Sequence, residues 1–207
     1  MTVAQRHLVI MARAPRLGAA KRRLARDVGA VAAQRFYRTQ SAALLRRLGG
    51  DPRWQAWLAL TPDHTAGTCH WPRRFGGAVV PQGVGDLGQR MGRLFATLPP
   101  GPVVIVGSDI PDIERRHVWE AFRQFGAHDW VFGPASDGGY WLIGARRRPR
   151  LKLPFAGVRW SSSSALDDTL ANLQRDRVAF LESLEDIDRG SDLQRWLSAQ
   201  KGKCSSP

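Results

Sequence analysis

The segment Pro102–Pro111, PVVIVGSDIP, decides the fold. Four consecutive β-branched residues, Val103–Val106, form the clearest buried strand in the chain. Gly107 and Ser108 follow, and then Asp109. Pro111 disfavours helical geometry at Ile110, so the chain stays extended beyond the strand and carries the aspartate past the sheet edge. A carboxylate placed there suits a divalent cation, and it equally suits a turn or a helix cap.

Outward from this strand, short apolar runs alternate with helical periodicities. HLVIMA (7–12), QAWLALT (55–61), GAVVPQ (77–82), DWVFGP (129–134), YWLIGA (140–145) and VAFLE (178–182) read as further strands. AAKRRLA (19–25) can begin a helix. In residues 30–48, Ala33, Tyr37, Leu44 and Leu48 recur at helical spacing, and Gly49–Pro52 ends that helix. Asp86 and Gln89 have the spacing of a capping box for the helix in GDLGQRMGRLFATL, with Leu87, Met91, Leu94 and Leu98 on one face. Residues 114–125, 164–174 and 191–200 complete the helices, with Asp112 expected to cap the first of these three. The alternation predicts an α/β domain with a mostly parallel sheet, in which ligands gather outside the carboxyl ends of the strands. No repeat or linker interrupts it, so a single domain is expected over 1–200 with an irregular tail over 201–207.

Composition sets the outer limits. The 207 residues suffice for one full core, and 31 Lys and Arg against 18 Asp and Glu give a net charge of +13. The charge suggests anionic partners, yet most of it is scattered in pairs such as Arg22-Arg23 and Arg46-Arg47, as on a solvated surface. The tryptophans do not cluster with these pairs, and no nucleic-acid-binding motif is present, so nucleic acid is disfavoured as a partner. No apolar run is long enough for a membrane span. Two cysteines form neither a disulfide framework nor a metal motif, and no secretory leader pattern is seen. A cytoplasmic location is expected.

Three strand-following segments carry the polar residues that could do chemistry. ARAPRLGAAKRRLA (12–25) combines a glycine-containing turn with Arg13, Lys21 and Arg23, which suits a phosphate and also suits an ordinary basic helix. GSDIP supplies Asp109. GPASDGGYWLIG (133–144) places Asp137 before Gly138-Gly139, and spacing alone does not choose between a site and a plain hairpin. The five histidines share no pattern and are expected to be structural. Asp186, Asp188 and Asp192 read as the turn and cap of the last helix, with Asp188 a distant candidate for a second metal ligand.

Taken in order, ARAPRLGAAKRRLA, QGVGDLGQRM, VGSDIPDI, GPASDGGYWLIG, VRWSSSSALDDTL and DIDRGSDL span nearly the whole chain and resemble one family. They are similar to the small bacterial glycosyltransferase-A-like proteins associated with radical-SAM/selenodomain systems, relatives of the guanylyltransferases for phospholactate and molybdenum cofactor. The resemblance implies a three-layer α/β sandwich of the nucleotide-diphosphosugar-transferase (GT-A-like) kind: a mixed, mainly parallel sheet with helices on both faces. It implies nucleotide binding by Ala12, Arg13, Gly18, Lys21, Gln82, Gly83 and Ser108, and a Mg²⁺ or Mn²⁺ ion at Asp109. Lys21 and Arg23 would stabilise leaving-group charge. Asp137 would act from the acceptor side as base or metal-water partner, lined by Gly138, Gly139, Tyr140 and Trp160. The chain departs from the family loop at Arg13 (lysine), Leu17 (proline) and Arg22 (threonine). Arg22 sets bulk and charge beside the implied phosphate site.

The implied activity is metal-dependent transfer from a nucleotide-activated sugar to an unidentified acceptor. The alternatives are nucleotidyl transfer with release of pyrophosphate, and a non-catalytic protein that binds nucleotide or nucleic acid.

Overall fold

The computed structural model describes residues 5–16, 21–67, 71, 75–147 and 151–204. Strands β1 (His7–Arg13), β2 (Gln55–Thr61), β3 (Ala78–Pro81), β4 (Val103–Gly107), β5 (Trp130–Pro134), β6 (Tyr140–Ala145) and β7 (Val178–Phe180) form one sheet in the order β3-β2-β1-β4-β6-β5-β7. β6 runs antiparallel to its neighbours β4 and β5, and every other pairing is parallel. The helices are α1 (Arg22–Val28), α2 (Ala30–Gly49), α3 (Leu87–Thr97), α4 (Arg115–Gln124), α5 (Ala165–Ala171) and α6 (Gly190–Cys204).

The strand alternation explains the layering. Leu8, Ile10, Val104 and Val106 point to one face, where Leu44, Leu45 and Leu48 of α2 and Val118 and Ala121 of α4 cover them. Val9, Val103 and Ile105 point to the other face, against Met91, Leu94 and Phe95 of α3 and the partly buried Leu166 and Leu170 of α5. A strand buried on both sides needs the unbroken apolar run that β1 and β4 have. This is the three-layer architecture expected. Among the described residues no helix is long and apolar enough to cross a membrane.

The expected capping box is present: Asp86 Oδ1 accepts from Gln89 N at 2.8 Å, and Gln89 Oε1 accepts from Asp86 N at 3.0 Å. Three local expectations are corrected. Asp112 does not cap α4; Glu114 does, its own N–H donating to His117 Nδ1 at 3.0 Å. Asp112 Oδ1 instead accepts from Trp196 Nε1 of α6 at 3.1 Å. Leu87 lies on the solvent side of the α3 stripe, 44% exposed. α6 runs on to Cys204, into the stretch expected to be irregular.

The chain leaves β1 to build β2 and β3 on one side, then returns to place β4 on β1's other side. The carboxyl ends of β1 and β4 are therefore the switch point of the sheet, where diverging connections open a crevice.

Candidate active site

An open cleft of about 910 Å³ lies at that switch point. Ala12, Arg13, Lys21, Gln82, Ser108, Asp109 and Trp160 all line it, together with Arg22, Tyr37, Asp86 and Leu87. Its floor is braced from below. The buried Tyr37 hydroxyl accepts from Arg13 N at 2.9 Å and donates to Arg13 O at 2.8 Å, and it lies 3.2 Å from Ser108 Oγ. Burial first, and the nearby Asp109 charge second, push the Tyr37 hydroxyl above its usual range, so it remains a neutral donor. Gln82, also buried, donates to Ala12 O (3.1 Å) and Ala59 O (2.9 Å), locking the end of β1 to β2. Ser108 and Gln82 thus shape the cleft from within it.

Lys21 sits at a left-handed backbone position (φ 53°) just before α1, with its side chain 3% exposed. Its Nζ is 3.0 Å from Asp188 Oδ1 and 3.6 Å from Asp109 Oδ2. Burial alone would lower its pKa, but the carboxylates of Asp109 and Asp188 outweigh that and raise it, so the ammonium stays charged. Arg23 lies outside the cleft wall and reaches Asp188 Oδ2 at 3.4 Å. Asp186 is half-buried beside this group. Burial, then the charge of Asp188, raises its carboxyl above the ordinary range; Lys21 opposes this, and Asp137 and Asp109 add to it. The Lys21–Asp188 pairing spans 167 positions and was invisible to motif reading. The signals were the DIDRGSDL segment and its aspartates, read above as a turn and cap with Asp188 a distant candidate for a second metal ligand.

The β5–β6 hairpin reaches the same edge of the sheet, since β6 runs antiparallel to β4 with Leu142 opposite Val106, and the charges of Asp137 and Asp109 both bear on Asp186. Asp137 Oδ1 accepts from Gly139 N at 2.9 Å and closes the turn, and Gly138 (φ 84°) packs so tightly on the Ser163 carbonyl that no Cβ fits. Asp137, Gly138, Gly139 and Tyr140 are not among the cleft walls. Tyr140 joins the site through its ring, 6.5 Å from the Trp160 ring. Gly83 also stands back, its N–H donating to Asp63 Oδ1 at 3.0 Å. Gly18 falls outside the described residues.

Can these side chains hold a divalent cation? Asp109 presents a carboxylate with 54% of its side chain exposed, and Asp188 stands across Lys21 from it. Among the described residues no three His, Cys, Asp or Glu side chains cluster to form a complete ligand set. One or two carboxylates completed by ligand phosphates is how Mg²⁺ is commonly held, so the donor set fits such an ion.

Comparison with known proteins identifies the family and supports the fold. Residues 44–162 match the model of a family described as "Uncharacterized protein conserved in bacteria (DUF2064)". The chain belongs to DUF2064. No curated protein matches the sequence. Among solved structures, this DUF2064 chain resembles one from Desulfovibrio desulfuricans G20, provisionally assigned as a nucleotide-diphospho-sugar transferase. The identity is 28% and the TM-score 0.82, over 95% of this chain and 87% of the other. The fold alone is shared with 4-diphosphocytidyl-2C-methyl-D-erythritol synthase from Anaerococcus prevotii DSM 20548 (10% identity, TM-score 0.57, 95% and 98% of the two chains). It is also shared with glucosyl-3-phosphoglycerate synthase from Mycobacterium tuberculosis, solved with Mn²⁺, UDP and glucosyl-3-phosphoglycerate (13% identity, TM-score 0.58, 95% and 77%). The fold is thus that of nucleotidyl and glycosyl transferases, and Mn²⁺ occurs in a structure that shares it.

Proposed function

We propose that this protein is a transferase using a nucleotide-activated sugar, of the type associated with radical-SAM/selenodomain systems, and that it binds the diphosphate in the β1/β4 cleft. The observation that carries this reading is the convergence of Asp109, Arg13 and Lys21 on one cleft at the sheet's switch point, with Lys21 held by Asp188. Asp109, completed by the ligand's own phosphates, would hold Mg²⁺ or Mn²⁺. The ion supplies neutralisation of diphosphate charge when bound. Lys21, fixed by two carboxylates, keeps Asp109 aimed at the cleft. The guanidinium of Arg13 would donate hydrogen bonds to phosphate oxygens, and preorganised cations favour growing leaving-group charge. Trp160 and the exposed Leu87 also line the cleft and would suit an apolar ring face of sugar or acceptor.

Titration calorimetry with nucleoside diphosphates and nucleotide-sugars, with and without Mn²⁺, tests this. Wild type should bind more tightly with Mn²⁺, and Asp109→Ala should lose the Mn²⁺-dependent part. Unchanged binding in that variant would overturn the metal assignment. Turnover assays divide the two transfer reactions: sugar consumption supports the proposal, and pyrophosphate release from a nucleoside triphosphate without sugar consumption replaces it with nucleotidyl transfer.

A further inference from the structure

The cationic side chains around the cleft differ sharply in what already occupies them. Lys21 is held between Asp109 and Asp188, and Arg23 is turned to Asp188. Arg90 donates to Gly85 O at 2.9 Å and lies 3.5 Å from Gln82 Oε1. Arg93 donates to the carbonyls of Gln82 (2.6 Å) and Val84 (2.9 Å). Arg13 and Arg22 line the cleft with guanidinium groups that make no hydrogen bond or ion pair to another described residue. Arg22 is exposed, so a ligand need not displace anything to reach it.

A buried ammonium already shared by two carboxylates is a poor phosphate ligand, because binding an anion would cost it those contacts. A free guanidinium offers a planar fork that matches two phosphate oxygens at once. We propose that Arg22, paired with Arg13, is the diphosphate-contacting cation of this cleft, and that Lys21 is an internal counter-ion that positions Asp109. The residue that departs from the family loop is then the one that takes over phosphate binding. This inference rests on the nucleotide-transferase reading above.

Inorganic pyrophosphate and a nucleoside diphosphate serve as probes in calorimetric titrations of wild type, Arg22→Thr, Arg22→Lys and Arg175→Thr. Arg175 is exposed at the amino end of β7, at the opposite end of the strands, and controls for general charge attraction. Because Arg22 is exposed, its variants should melt like wild type. Arg22→Thr should weaken both probes at least tenfold with a shallower salt dependence, Arg22→Lys should fall between, and Arg175→Thr should match wild type. Binding by Arg22→Thr within twofold of wild type would overturn the inference while leaving the transferase reading intact. So would an equal loss in Arg175→Thr, or a loss for the nucleotide but not for pyrophosphate. Failure of wild type to bind any nucleoside diphosphate or pyrophosphate would overturn both.

Discussion

Two aspartates follow apolar strands and stand beside glycine at one edge of the sheet, one in Gly107–Asp109 and one in Asp137–Gly139, yet their partners differ. The turn between β5 and β6 is tied mostly from within, Ala135 N donating to Gly139 O (3.0 Å), Gly138 N to Ala135 O (3.2 Å) and Gly139 N to Asp137 Oδ1 (2.9 Å), while Gly138 O accepts from Leu166 N (3.1 Å) and Asp137 stays exposed. The loop after β4 leaves a parallel strand and must travel to a helix, so its groups find partners from elsewhere. Ser108 meets Tyr37 of α2, and Asp109 meets Lys21 at 3.6 Å while keeping 54% of its side chain exposed. A hairpin closes on itself, whereas a crossover end stays open to a ligand.

Substitutions can break this contrast, beginning with the largest effect. Asp109→Asn should lower kcat/KM by at least about 100-fold, on the order of 3 kcal/mol of transition-state stabilisation. Asp137→Asn keeps the acceptor that closes the turn and should stay within about threefold. Equal losses would return Asp137 to the chemistry. Lys21→Met strips the shared cation from Asp109 and Asp188. A fully buried pair would cost more, but both carboxylates are partly exposed, so urea unfolding should report a loss of about 1–3 kcal/mol. Gly138→Ala forces a Cβ onto the Ser163 carbonyl at a left-handed position. It should cost about 1–2 kcal/mol while leaving nucleotide affinity unchanged.

The smallest effect is a pH dependence. The Asp186 carboxyl titrates above its unfolded value, so the folded state holds more protons than the unfolded one just above pH ~3.8. Its contribution therefore erodes stability as pH rises through that window and remains unfavourable at neutral pH. Asp186→Asn should raise the pH 7 melting temperature by about 2–4 °C and flatten the melting profile above pH ~4. A lowered melting temperature would mean that the carboxylate is needed in its charged form.

The sequence showed the frame of this molecule more clearly than its wiring. Apolar runs gave β1 and β4, and the Asp86–Gln89 spacing gave the start of α3, because those signals are local. Strand order then carried Asp109 and the Lys21 loop to one edge. Tyr37 was legible only as a core residue at helical spacing, since nothing local tells that its hydroxyl ties Arg13 to Ser108. The pairing of Lys21 with Asp188 joins opposite ends of the chain, and spacing within a motif cannot register it. Asp137 resembled Asp109 in type and neighbours, and strand direction brings both to one sheet edge, where Asp137 closes a turn and Asp109 lines the cleft.

A crystal soaked with Mn²⁺ and a nucleoside diphosphate tests the central claim most directly. The diphosphate should lie in the β1/β4 cleft beside Arg13 and Arg22, with the ion on Asp109. Density for the nucleotide at the β5–β6 hairpin, or an ion bound away from Asp109, would contradict it.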